Sequence, residues 1–167
     1  AVLQNTMDTI EEIFNNPQMV EDKDTKGDLY EYLLSKLSTS GKNGQFRTPK
    51  HIINMMVELM KPTPEDIIVD PACGSAGFMV EAGEYLRKNC KEMFNDIRKV
   101  EHFNNTMFYG FDIDQTMLRI SAMNLMQHGI ENPNIDYKNA IGEENEDKNK
   151  FTLVLANPPF KGSVDIN

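Results

Sequence analysis

Apolar positions change their period along the chain, and each change marks an element. Leu3, Met7, Ile10, Ile13 and Phe14 recur at helical spacing, as do Leu29, Tyr30, Leu33, Leu34 and Leu37. A polar stretch with Pro17 separates the two sets, and the run from Ser38 to Gly44 reads as a flexible connector. Thr48 and Pro49 have the form of an N-cap followed by proline at the first helical position. Ile52, Ile53, Met56, Val57 and Met60 continue that helix until Pro62 and Pro64 stop it. Residues 67–69 are a short, wholly apolar run suited to the middle of a parallel sheet. This strand ends at Asp70, and after a turn Phe78, Met79, Ala82, Tyr85 and Leu86 share the face of another helix. The polar stretch 88–106, anchored by Met93, Phe94 and Ile97, predicts a helical extension or insert.

A second strand over 107–111 ends at Asp112, and Met117, Leu118, Ile120 and Leu125 mark the helix after it. Ile135 and Tyr137 predict a third strand, 143–150 an acidic loop, and 151–156 a fourth strand, expected in the middle of a larger sheet. Strands alternating with helices predict an α/β sheet with its ligand at the carboxyl ends of the strands. A small helical segment, 1–43, would precede that unit, 44–167.

With 167 residues, 40% of them hydrophobic and 26% charged, the chain has material for one domain with a core. No apolar run approaches the roughly 20 residues of a membrane helix, which argues against a membrane protein. Cys73 and Cys90 do not form a disulfide framework, and a reducing cytoplasm is the expected setting. The chain starts at Ala1 without an initiator methionine and reads as a fragment or a processed piece. Its net charge of −9 opposes binding to phosphates, and the basic cluster Lys42, Arg47 and Lys50, with Lys161, offsets this only locally. If the protein meets nucleic acid, most phosphate contacts must come from further sequence or a partner chain. His51, His102 and His128 lack metal-ligand spacing, so packing or surface roles are expected and no metal site is predicted.

Two places carry candidate chemistry. The first is the turn Asp70-Pro71-Ala72-Cys73-Gly74-Ser75-Ala76-Gly77-Phe78. Gly74 and Gly77 would let a ligand approach the backbone, beside the free N–H groups of a helix start. Neither a dinucleotide fingerprint nor a P-loop is present, which leaves a nucleoside without a pyrophosphate. At the end of the second strand Asp112 is placed to accept from both ribose hydroxyls, with Ile113 beside it to pack on a base. Asp112 taken alone reads equally well as a helix cap, and the neighbouring turn favours the ligand. Asp114 reads as the N-cap, and Cys73 as a small buried filler.

The second place is Asn157-Pro158-Pro159-Phe160, directly after the fourth strand. Each residue before a proline is held extended, and Pro158 has no N–H. The loop therefore offers two acceptors, the Asn157 side-chain oxygen and the Pro158 carbonyl. An exocyclic amine on a planar base has two N–H donors and a delocalised lone pair. Holding both hydrogens draws its nitrogen toward tetrahedral geometry and frees that lone pair to attack a sulfonium methyl. Phe160 supplies a face on which a flipped base can stack.

Asn157 to Phe160 resembles the catalytic motif of amino-group methyltransferases, and Asp70 to Phe78 resembles their loop for S-adenosylmethionine (SAM). Gly44-Gln45-Phe46-Arg47-Thr48-Pro49 resembles the segment that precedes the sheet in N6-adenine enzymes, and the helical leader is similar to modification subunits of type I restriction–modification systems. The resemblance implies a Rossmann-like SAM-dependent methyltransferase sheet, incomplete at its C-terminus. It implies SAM as cofactor, with Phe46, Thr48 and Pro49 at its methionine end. Asp70, Pro71, Ala72, Gly74, Ser75, Gly77, Phe78, Asp112 and Ile113 would line the rest. Where the family has an acid for the SAM adenine, Asn139, followed by Ala140, stands here. Ala76 stands where a glycine is frequent, adding a methyl expected near the ligand. Implied partners are duplex DNA and the specificity and restriction subunits. Two other readings remain: a methyltransferase acting on protein glutamine or an RNA base, and a SAM-binding scaffold inactive by itself. A nicotinamide dehydrogenase is weaker still, for want of the glycine fingerprint.

Overall fold

The structure is a computed structural model, and it describes residues 48–140 and 147–158. Both expected leader helices, residues 143–146 of the acidic loop, and Phe46, Pro159 and Phe160 lie outside the described residues. In chain order the elements are α1 (Lys50–Met60), β1 (Ile68–Asp70), α2 (Gly77–Asn89), a 3-10 turn (Lys91–Asn95), α3 (Ile97–Asn105), β2 (Phe108–Asp112), α4 (Gln115–Gln127), β3 (Asn134–Tyr137) and β4 (Leu153–Val154). The expected extension over 88–106 is thus the 3-10 turn and α3. The fourth strand is shorter than its apolar run: only Leu153 and Val154 pair, with Ile68 and Val69.

The four strands lie in the order β3-β2-β1-β4, and all pairings are parallel. Ile68, Phe108 and Leu153 are in register and point to one face. There they join a core that takes Ile53 and Val57 from α1, Phe78, Met79 and Leu86 from α2, Phe103 from α3 and Leu125 from α4. Phe103 stacks edge-on against both Phe94 and Phe108, at 5.3 and 5.2 Å between ring centroids. Each of these side chains contributes roughly 1.5–3 kcal/mol by leaving water. On the opposite face Tyr109 and Phe111 meet Phe151, and Lys150 and Lys138 lie over these rings. Asp147 pairs with both lysines.

Helix α1 starts one residue later than its sequence suggests. Pro49 is itself the cap, at ψ 139°, and its carbonyl accepts from Ile52 and Ile53. The Thr48 hydroxyl makes a different bond, described below. Helix α4 starts as expected, with the Asp114 carboxylate accepting from the N–H groups of Thr116 and Met117. His102 packs structurally: its two ring nitrogens meet the Thr106 hydroxyl at 2.6 Å and the Asp66 carbonyl at 2.9 Å. His128 Nδ1 meets the Asn124 carbonyl.

Candidate active site

Strand order places the site. From β1 the chain builds outward through β2 and β3, and then β4 returns to the other flank of β1. Such a reversal opens a crevice at the carboxyl ends of the two strands where it occurs. The turn after β1 and the segment after β4 both enter it.

The first wall is held by the acid ending β2. Asp112 Oδ2 accepts from Gly74 N–H at 3.0 Å, and Oδ1 accepts from Asp114 N–H at 2.9 Å. Cys73 N–H donates to the Phe111 carbonyl, so the turn is pinned to β2 at two points. Gly74 has φ +51°, and a Cβ built there would meet nothing within 4 Å. A positive φ explains the glycine, and the empty space faces away from the protein. Ile113 is exposed beside Asp112, an apolar side chain at the mouth of the crevice. Open backbone, a half-buried carboxylate and an exposed aliphatic suit a nucleoside, and these residues fit SAM.

Asp70 is 2% exposed, and its Oδ1 accepts from Ala72 N–H at 3.0 Å. Burial pushes its carboxyl up to about 7, and the nearby Asp112 adds to the rise, against the Ala72 bond. Burial likewise pushes the Cys73 thiol up to about 12, helped by Asp70 and Asp112. Cys73 is therefore the buried filler expected and no nucleophile at neutral pH.

Two small residues of the turn also meet the core. A Cβ on Gly77 would stand 2.9 Å from Ile53 Cδ1, so this glycine lets α1 close on α2. Ala76 is wholly buried, with φ 65° and ψ 26°, so its methyl lies in the core rather than near the open edge. A left-handed conformation at that position accounts for a frequent glycine. Phe78 is also buried in the core, and Pro71, Ala72 and Ser75 are half-buried along the turn.

The second wall follows β4. Leu155 N–H donates to the Val69 carbonyl, continuing the ladder toward Asn157. Asn157 therefore leaves its strand beside the start of the Asp70 turn. Its Nδ2 donates to Thr48 Oγ1 at 2.9 Å, joining residues 109 positions apart. Pro49 and Pro158 are exposed next to this pair. The structure thus brings Thr48 to Asn157 and Gly74 to Asp112, each pair at the carboxyl end of the sheet. Asn139 is exposed and Ala140 half-buried, past the end of β3.

Sequence reasoning missed Asn124. This fully buried α4 residue donates from Nδ2 to the Ser75 carbonyl at 2.8 Å, tying the turn to α4. Its Oδ1 has no partner among the described residues. A lone amide within a helix carries no mark of its partner, and nothing in the local pattern singles it out.

An open parallel α/β sheet with a glycine-containing turn after β1, an acid at the end of β2 and Asn-Pro after β4 has the fold of the SAM-dependent methyltransferases. The sequence model of the N-6 DNA Methylase family matches residues 21–166, and the chain belongs to that family. It is 31% identical, over its whole length, to the methylase subunit of the type I restriction enzyme EcoKI from Escherichia coli (strain K12), covering 33% of that protein. Over 87% of the chain it is 32% identical to the StySJI methylase subunit from Salmonella typhimurium (strain LT2), covering 29% of it. A crystal structure of the EcoKI M protein superposes with a TM-score of 0.67 at 29% identity, over 74% of this chain and 27% of that one. The chain spans about a third of the length of the curated relatives it matches. Among the described residues no helix is long and apolar enough to cross a membrane.

Proposed function

We propose that this chain is the cofactor- and amine-binding part of a DNA methyltransferase that moves a methyl group from SAM to the N6 amine of adenine in duplex DNA. It would serve as the modification subunit of a type I restriction–modification complex in the cytoplasm, beside specificity and restriction subunits. Residues 1–43 would form its helical leader and 44–167 its methyltransferase portion. The observation that carries the reading is the parallel pairing of β1 with β4, which sets Asn157 next to the turn that begins at Asp70.

SAM supplies an electrophilic methyl on a sulfonium sulfur, and the bonding pair stays with sulfur as the new N–C bond forms. Asp112 would hold the ribose, Gly74 would let the nucleoside lie against the backbone, and Ile113 would cover one face of its adenine. Phe46, Thr48 and Pro49 would border the methionine end, with Asn139 and Ala140 toward the far side of the base. Asn157 Oδ1 and the Pro158 carbonyl would accept the two hydrogens of the target amine, localising its lone pair on nitrogen for in-line attack. The extra proton on the methylated nitrogen would pass to solvent. Pro159 would stiffen this loop, and Phe160 would stack on the flipped adenine. With a net charge of −9, the chain would leave most phosphate contacts to other sequence or to the specificity subunit.

The test is mass spectrometry of N6-methyladenine in host DNA, with the intact gene present and deleted. Loss of the modified base on deletion is the expected result. Unchanged N6-methyladenine, together with methylation of a protein glutamine or an RNA base by the purified enzyme, would replace DNA as the substrate.

A further inference from the structure

We infer that Asn124 is a positioning residue for the cofactor: it anchors a chain of hydrogen bonds that runs through the turn after β1 and ends on Asp112. This rests on the proposed role of Asp112 at the SAM ribose. Asn124 Nδ2 donates to the Ser75 carbonyl at 2.8 Å. A carbonyl only accepts, so the donating end of this amide is the one that faces the turn. Across the Ser75–Ala76 peptide, the Ala76 N–H donates to the Cys73 carbonyl at 2.7 Å. Across the Cys73–Gly74 peptide, the Gly74 N–H donates to Asp112 Oδ2 at 3.0 Å. All three bonds run in one direction, from a neutral amide to a carboxylate, so each polarises the next.

The chain fixes geometry as well. A peptide unit is planar, and one held at both its C=O and its N–H has its plane set. Asn124 supplies the hold on the carbonyl of the Ser75–Ala76 plane. That hold has work to do, because Gly74 and Ala76 on either side of Ser75 both have left-handed backbones, at φ 51° and 65°. For an alanine this conformation is disfavoured. Asn124 is itself fully buried on α4. The same helix is capped by Asp114, whose N–H donates to Asp112 Oδ1. The bonds therefore close a ring: from α4 through Asn124 and the turn to Asp112, and from Asp112 back to the start of α4. Asn124 acts on the cofactor through Asp112, whose two oxygens the ring holds in place.

Asn124→Leu and Asn124→Ala in the full-length protein test this, with SAM affinity, methylation of duplex DNA and thermal unfolding measured separately. Leucine keeps the branched shape without the donor, and alanine removes the donor without adding bulk. SAM affinity should fall about tenfold in both, the worth of one hydrogen bond. The transfer rate at saturating SAM should stay within about twofold. Leu125→Ala, at the next position, removes buried apolar surface and should unfold earlier, yet bind SAM within about twofold of wild type. In an Asp112→Ala background, where the chain has lost its end, Asn124→Ala should weaken SAM binding by less than about twofold further. Wild-type SAM affinity in the Asn124 variants, an equal loss in Leu125→Ala, or losses that multiply with Asp112→Ala would each overturn the inference. Failure of the underlying reading is separately visible: an Asp112→Asn protein that binds SAM like wild type ends both, whereas Asn124→Ala with wild-type affinity ends this inference alone.

Discussion

Asp112 separates what the site needs to stand from what it needs to bind. Its two oxygens accept from the Gly74 and Asp114 N–H groups, at 3.0 and 2.9 Å. Asp112→Ala leaves both donors without this acceptor. An unsatisfied buried donor costs about 1–3 kcal/mol, and these are half-buried, so about 1 kcal/mol each, or about 2 kcal/mol in all, is expected. Asp112→Asn keeps one acceptor and turns an N–H donor toward the other backbone N–H, for a loss of about 1 kcal/mol. The cofactor adds a second layer. Two ribose hydroxyls bound to a carboxylate are worth about 1.5–3 kcal/mol each, so Asp112→Asn should weaken SAM binding by at least about 2 kcal/mol, some thirtyfold. Urea denaturation without ligand reads the first layer, and calorimetric titration with SAM reads the second. The two losses should therefore differ. Equal SAM affinity in wild type and Asp112→Asn would refute the ribose role, and unaltered stability in Asp112→Ala would refute the scaffold role.

Asn157→Ala should lower the methyl-transfer rate by about 10²–10³, the usual loss for a donor or acceptor acting on developing charge, while SAM affinity stays nearly constant; a near wild-type rate would remove the proposed amine contact. A Cβ on Gly110 would stand 2.7 Å from Met79 Cε, 2.8 Å from Ile135 Cδ1 and 3.1 Å from Cys73 Cβ. Gly110→Ala should therefore destabilise by about 1–3 kcal/mol and, by displacing Cys73, weaken SAM binding; thermal unfolding that matches wild type would contradict this crowding. The Asp70 carboxyl is raised to about 7 in the fold from an ordinary 3.8. Between those values the unfolded chain has lost the proton that the folded chain keeps, so stability falls as pH rises from about 4 to about 7 and is level above. Asp70→Asn lacks this loss, and its stability relative to wild type should climb across that window by at most about 4 kcal/mol; a difference that does not vary with pH would show that Asp70 titrates normally.

The strands were readable because buried parallel strands are short apolar runs, and each acid at a strand end, Asp70 and Asp112, lay where expected. Asp114 was legible as a cap because capping is local chemistry between neighbours in sequence. Gly77 was harder to read, for the opposite reason. Its missing side chain serves Ile53, and nothing in a glycine shows whether a ligand or a helix needs the room. Thr48 was a plausible cap whose hydroxyl found a partner 109 residues away. The 151–156 run overstated β4: Leu153 and Val154 alone pair as strand with β1, and beyond them single backbone bonds, such as Leu155 N–H to the Val69 carbonyl, continue the contact.

The two walls of the crevice also differ in how much chain must close to build them. Gly74 and Asp112 are 38 residues apart, with α2, α3 and β2 formed between them. The Asn157 wall depends on β4 finding β1 across 85 residues, through a two-residue pairing and the Thr152 side chain, which accepts from Ile67 N–H and donates to Asp66. Longer closure raises the entropic cost of contact and delays it during folding. The nucleoside wall is thus set to form early and persist, whereas the Asn157 wall is the first to detach in a partial opening. A protein in that opened state would still grip a nucleoside while lacking the acceptors that activate an amine. Hydrogen exchange at Leu153 and Leu155 amides, faster than at β2, would be the signature of such a latch.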